Sequence, residues 1–90
     1  MNKKFACPCC GYKTLNEEPI VTYEICQVCF WEVDALQLDN VNYEGGANRI
    51  SLKQGQKNFL KFGSCKEDMI KNVRKPRKDE ERDTTWEPLV

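Results

Sequence analysis

Two C-x-x-C pairs, Cys7 with Cys10 and Cys26 with Cys29, stand fifteen residues apart in a chain of ninety that contains no histidine. A two-residue gap lets one tight turn aim both sulfurs at a single ion, and a second pair brought alongside completes a tetrahedron with metal–sulfur bonds of about 2.3 Å. This is the spacing of a zinc ribbon, with Cys7, Cys10, Cys26 and Cys29 as the metal ligands. Pro8 stiffens the first turn, and Gly11, just past the second ligand, accepts a positive φ without a side-chain clash. In the second turn Phe30 occupies the position of Gly11, and a bulky residue resists positive φ. The second pair therefore has two readings. The favoured one is a two-knuckle ribbon; the alternative is a helical turn from Cys29 through Phe30-Trp31-Glu32, which resembles a treble clef.

Zinc is the expected ion, one per chain, and iron suits the same four thiolates. Four thiolates close the coordination sphere against water and substrate, so the expected metal is structural rather than catalytic. Without histidine there is no Ser-His-Asp or Cys-His nucleophile. No G-x-G-x-x-G or P-loop accompanies Gly45-Gly46, which reads as a turn. No enzymatic activity and no small-molecule substrate are expected. A disulfide framework would need an exported chain, and dithiol chemistry would need a βαβ setting that the sequence does not show. Thiol redox function is the less favoured rival.

Cys9 and Cys65 are left over. Cys9 adjoins Cys10 too closely to share its ion, and is expected as an exposed thiol beside the metal or as a substitute ligand. Cys65 reads as a small buried hydrophobe. Lys3, Lys4 and Lys13 are either counterions to a doubly negative thiolate site or ordinary solvated lysines. Glu32 and Asp34 read as solvated acids.

The rest of the chain suggests a small α+β domain at 1–78, with the ribbon over about 5–35. Tyr12–Leu15 and Ile20–Ile25, including Val21 and Tyr23, are β-prone runs joined by the Asn16–Pro19 turn, and suit an antiparallel hairpin. Ser51 and Gln54 form a capping box that predicts a helix over 52–62, ended by Gly63 and burying Leu52, Phe59 and Leu60. Ser64 and Glu67 repeat the signal and predict a second helix over 65–74, stopped by Pro76, with Cys65, Met69, Ile70 and Val73 on one side. Residues 75–83, charged at every position but Pro76, read as a solvated tail, and the charged segment 79–90 follows the domain. Its Trp86 and Leu89 are expected to dock on the core.

Fourteen basic residues balance fourteen acidic ones, so no net field draws the chain to nucleic acid or anionic membranes. No apolar run approaches membrane-spanning length, and none follows the lysines near the start, so no membrane association and a cytoplasmic location are expected. The runs CPCCGYKTL, YEICQVCFWE, GGAN and VRKPRKDE resemble the bacterial cysteine-rich CPCC family over roughly residues 5–80, except that Gln27 stands where that family's proline is expected. The resemblance implies a small metal-binding domain with Cys7, Cys10, Cys26 and Cys29 as ligands, and implies no activity. The expected role is recognition of a protein partner, with Trp31 and Trp86 as contact candidates. The alternative is a nucleic-acid-binding ribbon using Lys71, Arg74, Lys75, Arg77 and Lys78.

Overall fold

The computed structural model describes residues 3–20 and 22–89. Strands β1 (Phe5–Ala6) and β2 (Lys13–Leu15) pair antiparallel across the first C-x-x-C turn, with Phe5 opposite Leu15 and Ala6 opposite Lys13. Helices α1 (Ala35–Asp39) and α2 (Leu52–Phe62) follow, and then a 3-10 helix at Glu67–Asn72. The architecture is a small α+β, zinc-ribbon-like fold.

The hairpin differs from the expected one. Its turn is the Cys7–Cys10 knuckle itself, because the Tyr12–Leu15 run pairs backwards across Cys7–Cys10 rather than forwards with 20–25. From the second run, Ile25 makes one bridge, to Glu32, across the second knuckle. Tyr23 and Ile20 are exposed, and Val21 lies outside the described residues.

The two knuckles repeat each other at an offset of nineteen residues. The Gly11 amide donates to the Cys7 carbonyl at 2.7 Å, and the Phe30 amide to the Cys26 carbonyl at 2.8 Å. Cys7 donates to Tyr12 at 2.9 Å, and Cys26 to Trp31 at 2.9 Å. Ala6 pairs with Lys13, and Ile25 with Glu32. The repeat requires Phe30 to match Gly11, and it does: φ is 69° at Phe30 and 80° at Gly11. A left-handed conformation at a residue with a Cβ costs about 1–2 kcal/mol. Here the closed turn imposes it, and the treble-clef alternative is excluded because Cys26 and Trp31 bond across the turn where a helix would begin.

Helix α2 starts as expected. The Ser51 hydroxyl accepts from the Gln54 amide at 3.0 Å, and Gly63 ends the helix at φ 80°. The Gln54 side chain turns to Asn58 instead of back to the cap, so only half of the capping box forms. Leu52 is buried and Phe59 packs at the edge of the core, whereas Leu60 is 55% exposed. Gly55 and Gln56 take the inward positions.

The expected second α-helix over 65–74 is a 3-10 helix that starts two residues later. The Ser64 hydroxyl accepts from the Lys66 amide at 3.2 Å, too near in sequence to cap a helix at Cys65. The Cys65 amide instead donates to the Cys29 carbonyl at 2.7 Å, which fastens the segment to the second knuckle and prevents a regular α-helical start.

Helix α1 and the loop after it rest on buried polar side chains. Asp34 is no solvated acid: it is buried, caps α1 by accepting from the Leu36 amide at 2.9 Å, and accepts from the Ala47 amide at 3.0 Å. Gln37 donates to the carbonyls of Tyr43 and Ile50. Asn48 bonds both the amide and the carbonyl of Glu32, replacing a neighbouring strand with one side chain. Among the described residues, every buried side-chain polar atom has a partner, as buried amides require.

The segment 75–83 keeps most of its side chains in solvent, as expected, but it is not a loose tail. Its end runs along the first knuckle, with the Lys13 amide donating to the Glu81 carbonyl at 2.9 Å and the Asp83 amide to the Gly11 carbonyl at 2.7 Å. Arg74 holds Glu80 through two hydrogen bonds, of 2.6 and 2.8 Å. Beyond it, Trp86 lies over Gly11 and its indole donates to the Pro8 carbonyl at 2.9 Å. The Leu89 amide donates to Gln56, and Arg82 sits between the rings of Tyr12 and Trp86 at 4.9 and 4.5 Å. Charge composition misses this docking because the contacts are made mostly by backbone and by the faces of aromatic rings.

Candidate metal centre

The knuckles face each other and bring Cys7, Cys10, Cys26 and Cys29 together, with all four sulfurs within 4.8 Å of one another. Cys7 and Cys29 are 3.6 Å apart and Cys10 and Cys26 3.7 Å apart, each contact crossing between knuckles. A tetrahedron with bonds of about 2.3 Å has an edge of about 3.8 Å. The donor set therefore fits a tetrahedral ion that prefers sulfur. The four side chains are 0–1% exposed.

Electrostatics agree with the geometry. The thiols of Cys10, Cys29 and Cys7 hydrogen-bond to Cys26 and hold its sulfur well below the usual thiol range, with Thr14 helping. Burial pushes Cys7 and Cys29 the other way, well above that range. Four thiolates cannot coexist in so dry a space without a cation. Burial opposes ionisation of Cys7 and Cys29, and a divalent cation would offset the charge of a four-thiolate set.

Thr14, buried on β2, is a supporting group that the ligand spacing does not reveal. Its hydroxyl lies 3.0 Å from the Cys26 sulfur. The only sequence signal is a hydroxyl on the strand that leaves the first knuckle, and many strands carry one. Of the lysines weighed as counterions, Lys4 hydrogen-bonds Asn16 and Lys3 lies 5.3 Å from the Phe5 ring centroid.

Cys9 is not the exposed thiol expected. It is fully buried, stands outside the four-sulfur group, and is pushed up in pKa by burial. Its sulfur points toward α2, where a Cβ added at Gly55 would lie 3.4 Å away. Cys65 is buried as expected, its thiol pushed up to about 12 chiefly by burial. None of the six cysteines forms a disulfide. Trp31, a candidate contact residue by sequence, is 1% exposed and forms the largest fully buried side chain of the core.

The family model for cysteine-rich CPCC proteins matches residues 5–80. The chain belongs to that family. No curated protein matches it. Among the described residues, no helix of this CPCC protein is long and apolar enough to cross a membrane.

Proposed function

We propose that this CPCC protein is a non-catalytic binding module in which one zinc ion, held by Cys7, Cys10, Cys26 and Cys29, fixes a surface for recognition of another protein. The observation that carries the reading is the closed site: four buried sulfurs at tetrahedral spacing hold the two knuckles face to face. A metal enclosed by four thiolates has no free position for substrate, and its contribution is to folding. Structural zinc supplies about 10–16 kcal/mol of binding free energy, against a net stability of about 5–15 kcal/mol for a typical domain. Arg74, one member of the basic cluster that a nucleic-acid reading would use, is already paired with Glu80, which favours the protein partner.

Elemental analysis of protein produced with zinc present should find about one equivalent per chain, and chelation should abolish the cooperative melting transition. Chelated protein that melts unchanged would refute the structural role. A pull-down from the native cell with the metal-loaded chain, with and without nuclease, tests the partner: a retained protein that survives nuclease supports the reading, and recovery of nucleic acid alone refutes it.

A further inference from the structure

A groove of about 310 Å³ opens between the end of α2 and the extended segment after the 3-10 helix. Its apolar walls are Val28, Phe59, Phe62, Val73 and Pro76, and Lys75 stands at the rim. The volume suits one or two large side chains, and a concave pocket favours an inserted side chain over a flat surface.

Charge identifies the occupant. Although the chain is neutral overall, the charged residues that line the groove are Arg74 and Lys75, and no acidic residue lines it. Glu80 neutralises Arg74, leaving Lys75 in the lining and Lys61 beside it. Lys61 lies 5.2 Å from the centroid of the Phe62 ring, at the groove's edge. An apolar slot set in a basic rim complements an apolar side chain flanked by carboxylates.

The metal site forms one wall of this groove. Val28 lies between the ligands Cys26 and Cys29, and the Arg74 amide donates to the Gln27 carbonyl at 3.3 Å. The second knuckle therefore fixes the distance between the walls.

We infer that this groove docks a linear protein segment in which an aromatic or branched aliphatic residue adjoins Asp or Glu. The inference rests on the protein-recognition reading above and gives it a place and a chemistry. The groove takes the apolar side chain, and Lys75 with its neighbours meets the acids.

The test selects a displayed library of random linear peptides on the zinc-loaded full chain, then measures the enriched peptides by fluorescence anisotropy. Enrichment of apolar residues beside Asp or Glu is expected. Affinity should fall about tenfold in Lys75→Glu and in Phe62→Ala, and stay unchanged in Lys57→Glu, which makes the same charge change on the exposed side of α2. Each variant is first checked for the wild-type pattern of amide resonances, so misfolding is not mistaken for lost docking. No enrichment, enrichment of basic peptides, or binding indifferent to both groove variants would overturn the inference. So would a groove-dependent preference for phosphatidylserine vesicles or oligo-dT over every peptide. If the native pull-down retains a protein equally well on Lys75→Glu and Phe62→Ala, the groove is wrong and the protein-recognition reading survives. If it retains no protein, that reading fails first.

Discussion

Replacing Gly55 with alanine sets two known effects against each other at one position. Gly55 lies within α2, its amide donating to the Ser51 carbonyl at 2.9 Å, so the helical backbone itself accepts alanine. An Ala in a helix interior is favoured over Gly by about 1 kcal/mol. The added methyl, however, would lie 3.0 and 3.1 Å from Cζ3 and Cε3 of Trp31 and 3.4 Å from the Cys9 sulfur. Trp31 has nowhere to retreat: it is 1% exposed and its carbonyl is tied to the Cys26 amide. Overpacking a rigid core costs about 1–3 kcal/mol. The overpacking outweighs the propensity, and Gly55→Ala should destabilise the zinc-loaded protein by about 1 kcal/mol, lowering Tm by about 4–8 °C. Urea and thermal melts at fixed free zinc measure this. Adding Trp31→Phe removes the crowded ring atoms, so the methyl should cost less in that background, with a coupling energy of about 1 kcal/mol. If Gly55→Ala proved about 1 kcal/mol more stable than wild type, helix propensity would be acting alone and the close approach of α2 to the knuckles would be wrong.

Four further outcomes follow from the structure. Thr14→Val removes the hydroxyl beside Cys26 and should weaken zinc retention about 10–100-fold in competition with a chelator, with little change in the fold of the loaded protein. Leu52→Ala should cost about 2–5 kcal/mol in a chemical melt, whereas Leu60→Ala, on the exposed side of the same helix, should stay within about 0.5 kcal/mol. Arg74 holds the Glu80 carboxyl below its ordinary value of 4.5, so its contribution to stability is fully present above that pH and is lost as pH falls through the lower folded value. The stability gap between wild type and Glu80→Gln should accordingly be constant above about pH 4.5 and close below it; a gap that widened in acid would contradict the pairing. Zinc removal should release all six cysteines to a thiol reagent at once, since every one is buried; rapid labelling of Cys9 in the loaded protein would contradict its burial.

The four-cysteine cluster was legible in the sequence because the geometry of a C-x-x-C turn is local. Cys7 and Cys10, and likewise Cys26 and Cys29, must share a turn whatever the rest of the chain does, and the absence of histidine left sulfur as the donor. Helix α2 was legible for a similar reason: Ser51 and Gly63 act within one turn of the backbone they cap. By contrast, the path of the tail and the partners of Asp34 and Asn48 depend on residues far away in sequence. No propensity places a phenylalanine at positive φ; the hydrogen-bonded closure of the second knuckle does. Trp31 and Leu60 were misplaced because the same apolar side chain suits a core or a surface, and only the approach of α2, permitted at Gly55, decides which. The segment after Pro76 reads as soluble by composition, yet it docks, because backbone amides and the faces of Tyr12 and Trp86 carry no charge signature. The sequence by itself determined the metal chemistry and the one well-capped helix, since both are set by neighbours along the chain. Only the tertiary structure decided what the knuckles enclose and where the groove opens, because those depend on which distant surfaces the four sulfurs bring into contact.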